Sequence, residues 1–288
     1  MDRQKRASIA QETLDILNLG RYTPSSGQAV DISADLSAAI GNSRLYRPDD
    51  FPTDTNSTTP IERRCNTLFE VTSETTLEAA RRLSIDGQED LVCLNFASAK
   101  NPGGGFLSGS QAQEESLARS SGLYPCIAQM SEMYEYNRGL RTCLYSDHVI
   151  YSPGVPVFRH DSGELLDRHY KLAFITAPAV NAGAVKKNEP SGITQIRPVM
   201  ESRLRKILWV AERNGHQRLI LGAWGCGVFG NDPSTVASIF AEAIGHSAPF
   251  NGCFKQVVYA IYDRSSDQAI AKAFAGLSAG ESYKPRQQ

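Results

Sequence analysis

Short apolar runs alternate along the chain with stretches in which apolar residues recur every three or four positions, a pattern typical of an α/β fold. The short runs predict strands, and the longer periodic stretches predict helices. Because strand, helix and strand follow one another, we expect parallel strands in one three-layer α/β/α domain. The predicted strands are 67–71, 91–96, 149–151 and 155–158 (joined as a hairpin), 172–176, 218–221 and 256–262, and the predicted helices are 74–85, 195–214, 234–244 and 267–274.

The two ends of the chain depart from this pattern. Residues 3–18 form an amphipathic stretch that ends at Gly20, which predicts one helix. Residues 47–60 are dense in Pro, Asp, Asn, Ser and Thr, which predicts a loop or linker. We therefore expect three parts, namely a helical extension packed on the domain (1–60), the main domain (61–277) and a polar tail (278–288).

The charge balance argues against a partner bound through a general positive field. The 288 residues include 30 Lys and Arg against 31 Asp and Glu, a net charge of −1. We therefore expect no direct binding of duplex nucleic acid, and an anionic ligand must be bound locally. No apolar run approaches the roughly 18 residues of a membrane span, so we expect no membrane association. The expected oligomeric state is a monomer.

Cysteine and histidine positions bear on metal sites and on the cellular compartment. The six cysteines contain no C-x-x-C pair, and several lie in apolar runs, as is typical of reduced thiols in an intracellular protein, cytoplasmic or nuclear. The five histidines form no H-x-x-H or H-E-x-x-H cluster. We therefore expect no metal site.

Two glycine-rich segments follow predicted strands of one sheet. Glycine loop 1 (101–109) contains Gly103, Gly104 and Gly105, and glycine loop 2 (222–230), GAWGCGVFG, has four glycines in nine residues. Glycine permits positive φ and lets backbone N–H groups approach an anion such as a phosphate. One such loop is as often a plain tight turn, but two on one sheet favour an anion site beyond the strand ends. Neither matches a P-loop or a dinucleotide-binding fingerprint, so we expect no cofactor.

Two acids follow glycine loop 1. Ser110 and Gln113 have the S-x-x-Q spacing of a capping box, which predicts a helix start just after Ser110. Glu114 and Glu115 then lie in the first turn, where acids are favourable with the helix dipole and need no function. The glycine loop directly upstream favours instead an acid beside a bound nucleotide sugar, and hence chemistry at a glycosidic carbon. Adjacent helical residues point about 100° apart, so the two acids must have different roles.

The protonation state of these acids is left open by the sequence. A general acid needs a raised pKa, whereas a helix N-terminus lowers it, and burial or a bound phosphate raises it. Weaker candidates flank the loops: Asn101 for ribose hydroxyls, and Phe229 for packing against a ribose, each with a turn or core role as the alternative. The tyrosine-rich stretch 134–151 is a candidate adenine platform, with core packing as its default.

The glycine triplet and the acids together resemble a known signature. The segment LNFASAKNPGGGFLSGSQAQEESL, followed by FITAPAVN and GAWGCGVFGNDP, is similar to the microbial-type poly(ADP-ribose) glycohydrolases, whose signature is a glycine triplet, a short spacer and Q-E-E. Here seven residues separate the triplet 103–105 from Q-E-E at 113–115. The similarity spans roughly residues 65–265. It implies a macrodomain-like fold with a mixed sheet, in which 61–277 is the catalytic domain.

The resemblance also implies an activity and residue roles. The enzyme would hydrolyse ribose–ribose O-glycosidic bonds of poly(ADP-ribose) or of ADP-ribosylated proteins from chain ends, and would release ADP-ribose without a metal. Glu115 would be the general acid and base, and Glu114 and Gln113 would position the ribose. Glycine loop 2 would hold the diphosphate, with Phe229 against the distal ribose. The other implied substrate-binding residues are Asn101, Gly103, Gly104, Gly105, Gly225, Cys226, Gly227 and Val228.

Two alternatives remain open at this point. A noncatalytic ADP-ribose-binding macrodomain would use the same pocket, with the acids only capping the helix and binding ribose. A mono-ADP-ribosyl hydrolase would also use it, and would act on single ADP-ribose units and ignore the polymer.

Overall fold

The central sheet of the molecule is mixed and has seven strands within the described residues. The computed structural model describes residues 1–52, 65–84, 90–245 and 248–277. The strands are β1 (Arg21–Tyr22), β2 (Val30–Asp31), β3 (Arg44–Tyr46), β4 (Leu68–Thr72), β5 (Leu91–Phe96), β6 (Val149–Arg159), β7 (Leu165–Ala177), β8 (Arg218–Leu221) and β9 (Gln256–Ala260). The α-helices are α1 (Arg3–Leu19), α2 (Ser33–Asn42), α3 (Thr76–Ser84), α4 (Gln113–Ser120), α5 (Leu123–Ala128), α6 (Ser131–Gly139), α7 (Ala182–Asn188), α8 (Ile196–Arg213), α9 (Pro233–Ile244) and α10 (Ala269–Phe274).

The strand order places the candidate loops next to each other. The large sheet runs β3-β6-β7-β5-β8-β9-β4, and β1 and β2 form a separate pair. The five strands from β7 to β4 are parallel, whereas β6 pairs antiparallel with β7, and β3, at the edge of the sheet, pairs antiparallel with β6. β5 and β8 are neighbours, so the loops that follow them leave the sheet side by side. The predicted α/β fold with a mixed sheet is confirmed.

Side-chain alternation along β5 builds a core on each face of the sheet. Val92 and Leu94 join the core that includes residues of α8 and α9, whereas Leu91 and Cys93 join the core that includes residues of α3, α4 and α5. Both faces are covered by helices, which is why this strand reads as one continuous apolar run. The three-layer arrangement follows from these two cores.

The N-terminal segment packs on glycine loop 1. α1 ends at Gly20, whose φ of 67° provides a left-handed C-cap, as predicted. Arg3 Nε and Arg6 Nε donate to the carbonyl oxygens of Ser108 and Gly109 at 2.9 and 2.7 Å. A Cβ on Gly109 would lie 2.1 Å from the Arg3 carbonyl oxygen, so only glycine allows this approach. The extension is not purely helical, because β3 forms an edge of the large sheet. The boundary at residue 60 stays a prediction.

Two local predictions were wrong. Residues 149–159 form one strand, not a hairpin, because both halves pair with β7 across a bulge where Gly154 has a φ of 58°. The capping box does not form, since α4 begins at Gln113 with Ala112 as its N-cap and no side chain caps it. Glu114 and Glu115 nevertheless lie in the first turn.

Some predictions fall on residues that are not described. Most of the loop 47–60, the end of the helix 74–85 and the tail 278–288 lie outside the described residues. None of the described helices combines the length and the apolar content that crossing a bilayer requires.

Candidate active site

The two glycine loops and the start of α4 line one cavity of about 460 Å³ at the carboxyl ends of β5 and β8. Ten of the twelve predicted site residues line it, and Gly103 and Cys226 do not. Cys226 packs instead against the core, where burial raises the pKa of its thiol to about 12. The ten lining residues are Asn101, Gly104, Gly105, Gln113, Glu114, Glu115, Gly225, Gly227, Val228 and Phe229.

The backbone amides of glycine loop 1 are used inside the protein. The Gly105 amide donates to Glu115 Oε1 at 3.0 Å, and the Gly104 amide donates to the Asn101 carbonyl oxygen at 3.0 Å. The Gly103 amide donates to the Glu114 carboxyl group. The Gly103 and Gly105 amides therefore orient the two acids and the Gly104 amide closes a turn of the loop, whereas the sequence led us to expect that these amides bind an anion.

Gly104 is the point at which this loop and the acids touch. Its φ is 58°, and a Cβ built on it would lie 2.5 Å from Glu115 Oε1 and 3.2 Å from Glu114 Oε2. A side chain at this position would therefore displace the carboxylates as well as strain the backbone. The glycine is required for the approach of the acids to the loop.

Glycine loop 2, unlike glycine loop 1, has backbone amides that are free to bind an anion. Within the described residues, the backbone N–H groups of Gly225, Gly227, Val228 and Phe229 have no hydrogen-bond partner. The Asn231 side chain holds the base of the loop, because its Nδ2 donates to the Gly225 carbonyl oxygen at 3.1 Å and to Val180 at 2.7 Å. Successive unpaired amides of this kind form an anion site. The loop is thus suited to a diphosphate.

Gln113 fastens α4 to the sheet. Its Oε1 accepts from the Phe96 amide at 2.8 Å, and its Nε2 donates to the Leu94 carbonyl oxygen at 2.8 Å and to Thr76 Oγ1 at 3.2 Å. Pairing between β5 and β8 ends at Cys93, so the Gln113 amide takes the place of a neighbouring strand. Its polar atoms position the helix and the two acids that follow.

Glu114 is buried beneath the cavity, with 3% of its surface exposed. Burial raises the pKa of its carboxyl group to about 8, and the like charge of Glu115 adds to the rise. The Ser98 amide, which donates to Oε2 at 2.7 Å, opposes the shift without cancelling it. Glu114 is therefore largely protonated at neutral pH. For this acid, desolvation outweighs the helix dipole.

Comparison with known proteins decides the family. The family model described as "Microbial-type PARG, catalytic domain" matches residues 10–160, where PARG denotes poly(ADP-ribose) glycohydrolase. The chain belongs to the microbial-type PARG family. The predicted resemblance is confirmed, and so is the predicted class of enzyme, a glycosidase that acts on poly(ADP-ribose). The family match begins within the N-terminal extension, well before residue 61.

Solved structures of bacterial PARGs are similar over most of the chain. The enzyme from Thermomonospora curvata is 47% identical with a TM-score of 0.91, and the alignment covers 95% of this chain and 99% of that one. Its complex with the inhibitor ADP-HPD has a TM-score of 0.89 at the same identity and coverage. The Deinococcus radiodurans PARG in complex with ADP-ribose is 45% identical with a TM-score of 0.78, covering 84% of this chain and 96% of that one. No curated protein sequence matches the chain significantly.

The sequence did not single out several residues around this PARG site, and it indicated the tyrosines only as a group. Ser98, whose amide binds Glu114, carries no sequence signal, and Asn231 is marked only by its place directly after glycine loop 2. The tyrosine-rich stretch does not form one platform, because Tyr134 is buried, Tyr136 is exposed and Tyr151 hydrogen-bonds His216. Tyr145 lies beside Phe229 with ring centroids 6.0 Å apart. Tyr145 lies in the segment before β6, and nothing in the sequence there indicates a contact with Phe229.

A change of Glu114 to Gln should flatten the pH dependence of stability. Because its pKa is raised from 4.5 to about 8 in the folded state, its contribution to stability is complete below the lower value and is lost as the pH rises through the upper one. We expect the free energy of unfolding of the parent to fall by up to ~1.4 kcal/mol more per pH unit in this window than that of Glu114→Gln. Urea unfolding at several pH values measures both slopes. Equal slopes would show that Glu114 ionises normally.

Proposed function

We propose that this chain hydrolyses ribose–ribose O-glycosidic bonds of poly(ADP-ribose) with Glu115 as the general acid and base, and releases ADP-ribose. The observation that carries the proposal is the meeting of the Glu115 carboxylate and the unpaired amides of glycine loop 2 in one cavity. An anion bound on one wall brings its attached sugar toward the acid on the other. The T. curvata and D. radiodurans PARGs, solved with ADP-HPD and ADP-ribose, support this assignment.

The size of the site supports a whole ADP-ribose unit. A second cavity of about 540 Å³ shares Phe96, Ala112, Gln113 and Ala223 with the first, so the two adjoin. In the proposal, the diphosphate lies on glycine loop 2, the distal ribose lies near Glu115 with Phe229 against it, and the adenosine extends into the second cavity. Val228 is 89% exposed, so its side chain is free to pack over a bound ligand.

The chemistry divides between the two acids. Glu115 protonates the leaving ribose oxygen as the anomeric carbon becomes oxocarbenium-like, and its carboxylate then takes a proton from the attacking water. Glu114, protonated in its buried position, adds no second negative charge and is suited to hold a ribose hydroxyl. No step requires a second carboxylate across the bond.

We further infer that cleavage occurs at chain ends. Met1 and Arg6 of the N-terminal segment and Arg264 after β9 line the second cavity. In the proposal these side chains limit the space beyond the adenosine, so that a terminal unit is favoured over an internal one. An intracellular location is part of the same proposal, and its support is that all six cysteines are free thiols.

Incubation of the purified chain with poly(ADP-ribose) of defined length tests this function. We expect free ADP-ribose as the first product, with gradual shortening of the polymer and no burst of intermediate fragments, resolved by ion-exchange chromatography. A noncatalytic ADP-ribose-binding protein would bind the polymer and release nothing. A mono-ADP-ribosyl hydrolase would act on singly modified protein and leave the polymer intact. Early appearance of long oligomers would contradict cleavage from the ends.

A further inference from the structure

Tyr145 has a backbone conformation that a bulky side chain rarely adopts. Its φ is 60°, and within the described residues only Gln268 shares a positive φ among non-glycine residues. Such a conformation is unfavourable for a residue with a Cβ and persists only where the surroundings impose it. The strain at Tyr145 therefore points to a constraint from the tertiary structure.

A buried arginine supplies that constraint. Arg203 of α8 is completely buried, and its Nη2 donates to the carbonyl oxygens of Leu144 and Tyr145 at 3.0 and 3.1 Å. Its Nη1 donates to the Pro178 carbonyl oxygen at 2.9 Å, so one guanidinium ties the segment before β6 to the segment after β7. Asp147 neutralises it, accepting from Arg203 Nε at 2.9 Å.

Asp147 is itself held from a second side. Lys206, one turn further along α8, donates from Nζ to Asp147 Oδ2 at 2.6 Å. The ion pair is largely shielded from water, because Arg203 is fully buried and Asp147 is mostly so. The backbone of Tyr145 is thus held by a charged network that does not itself line the cavity.

The Tyr145 ring faces the outer end of glycine loop 2. Its centroid lies 6.0 Å from that of Phe229, with the rings tilted by 49°. The Asn181 side chain interacts with the Tyr145 hydroxyl group. Asn181 also caps α7 through the Ala184 amide at 3.0 Å, and in the same first turn the Gly183 amide donates to the Phe229 carbonyl oxygen at 2.9 Å. Phe229 is therefore held by its backbone on one side and by the Tyr145 ring on the other.

We propose that Tyr145 is a positioning residue that sets the Phe229 ring and, through it, the orientation of the distal ribose toward Glu115. The inference rests on the proposed function, because Phe229 is assigned to the distal ribose there. Tyr145 does not line the cavity, so it acts through Phe229. Loss of its ring lets Phe229 change position while the amides of glycine loop 2 remain. Misorientation of the ribose then lowers kcat more than it weakens binding.

The test compares two changes that separate the ring from the backbone strain. Tyr145→Phe keeps the ring and the positive φ, and we expect kcat within a few-fold of the parent value. Tyr145→Gly relieves the strain but removes the ring, and we expect kcat to fall by roughly 10- to 100-fold with KM and the Kd for ADP-ribose changed by less than about 3-fold. Gln268→Ala, at the other strained position and outside the cavity, is the matched control and should leave kcat unchanged.

A double-mutant cycle with Phe229→Ala distinguishes positioning from a merely structural role. If Tyr145 acts through Phe229, Tyr145→Gly causes no further loss of kcat in the Phe229→Ala background. Additive losses, or parent-like kcat in Tyr145→Gly, would overturn the inference. An inactive parent would reject the proposed function instead. The crystal structure of Tyr145→Gly would then decide the positioning role, because an unmoved Phe229 ring would overturn it.

Discussion

Replacement of Glu115 by Gln lowers the rate of ADP-ribose release by at least ~10²- to 10⁴-fold, the usual loss when a general acid or base is removed. Gln keeps the shape of the side chain, and its amide oxygen still accepts from the Gly105 amide, which now donates to Glu115 Oε1 at 3.0 Å. It cannot protonate the leaving oxygen or activate water. The loss therefore falls on kcat.

Binding of ADP-ribose by Glu115→Gln should stay within a few-fold of the parent value, because the anion site is on glycine loop 2. Release of ADP-ribose from the polymer measures the rate, and titration calorimetry measures the Kd. Glu135→Gln is the control, since this exposed residue of α6 has no side-chain hydrogen bond or ion pair with any described residue. Near-parent turnover of Glu115→Gln would remove Glu115 from the mechanism.

Replacement of Gly104 by Ala has the second-largest expected effect. The new Cβ would lie 2.5 Å from Glu115 Oε1 on a backbone with a φ of 58°, so the carboxylate and the loop must both move. Displacement of a catalytic group by about 1 Å can cost ~10²-fold in rate, and we expect a fall in kcat of that order. The strained φ should also lower the free energy of unfolding by about 1–3 kcal/mol.

The matched control for this change is Gly139→Ala. Gly139 ends α6, has no positive φ, and a Cβ on it would meet nothing within 4 Å. We expect kcat and the urea midpoint of Gly139→Ala to stay close to those of the parent. Parent-like kcat in Gly104→Ala would mean that the acids tolerate displacement, contrary to the geometry of glycine loop 1.

The sequence correctly predicted strands and helices whose ends are marked by neighbouring residues. β5 and β8 match the predicted strands 91–96 and 218–221 residue by residue, because each is a short, mostly apolar run that directly follows a polar residue, Asp90 or Gln217. α1 ends at Gly20 as expected, since a positive φ there is a local property of glycine. The hairpin predicted for residues 149–158 was wrong because Pro153-Gly154 has the local pattern of a turn. The pairing of both halves with β7 depends on long-range contacts that this local pattern does not show.

The sequence predicted which residues line the candidate site better than it predicted what each residue does there. The acids and both glycine loops line one cavity, as β5 and β8 are neighbours in the sheet. The assignment of an anion to glycine loop 1 stays a prediction, and the internal hydrogen bonds of its amides to Glu114, Glu115 and the Asn101 carbonyl oxygen are the reason that the proposal puts the diphosphate on glycine loop 2. The local sequence does not show whether a backbone amide binds a side chain ten residues away, as the Gly105 amide binds Glu115, or is free to bind a ligand.

By itself, the sequence determined the α/β class, the two glycine loops, the acids beside them and the family, because these depend on residue type and short spacing. Only the tertiary structure decided which loop keeps free amides, that burial raises the pKa of Glu114, and that the Tyr145 ring lies beside Phe229. These properties depend on burial and on partners such as Ser98, Arg203 and Phe229, and such partners come together only when distant segments fold onto one sheet.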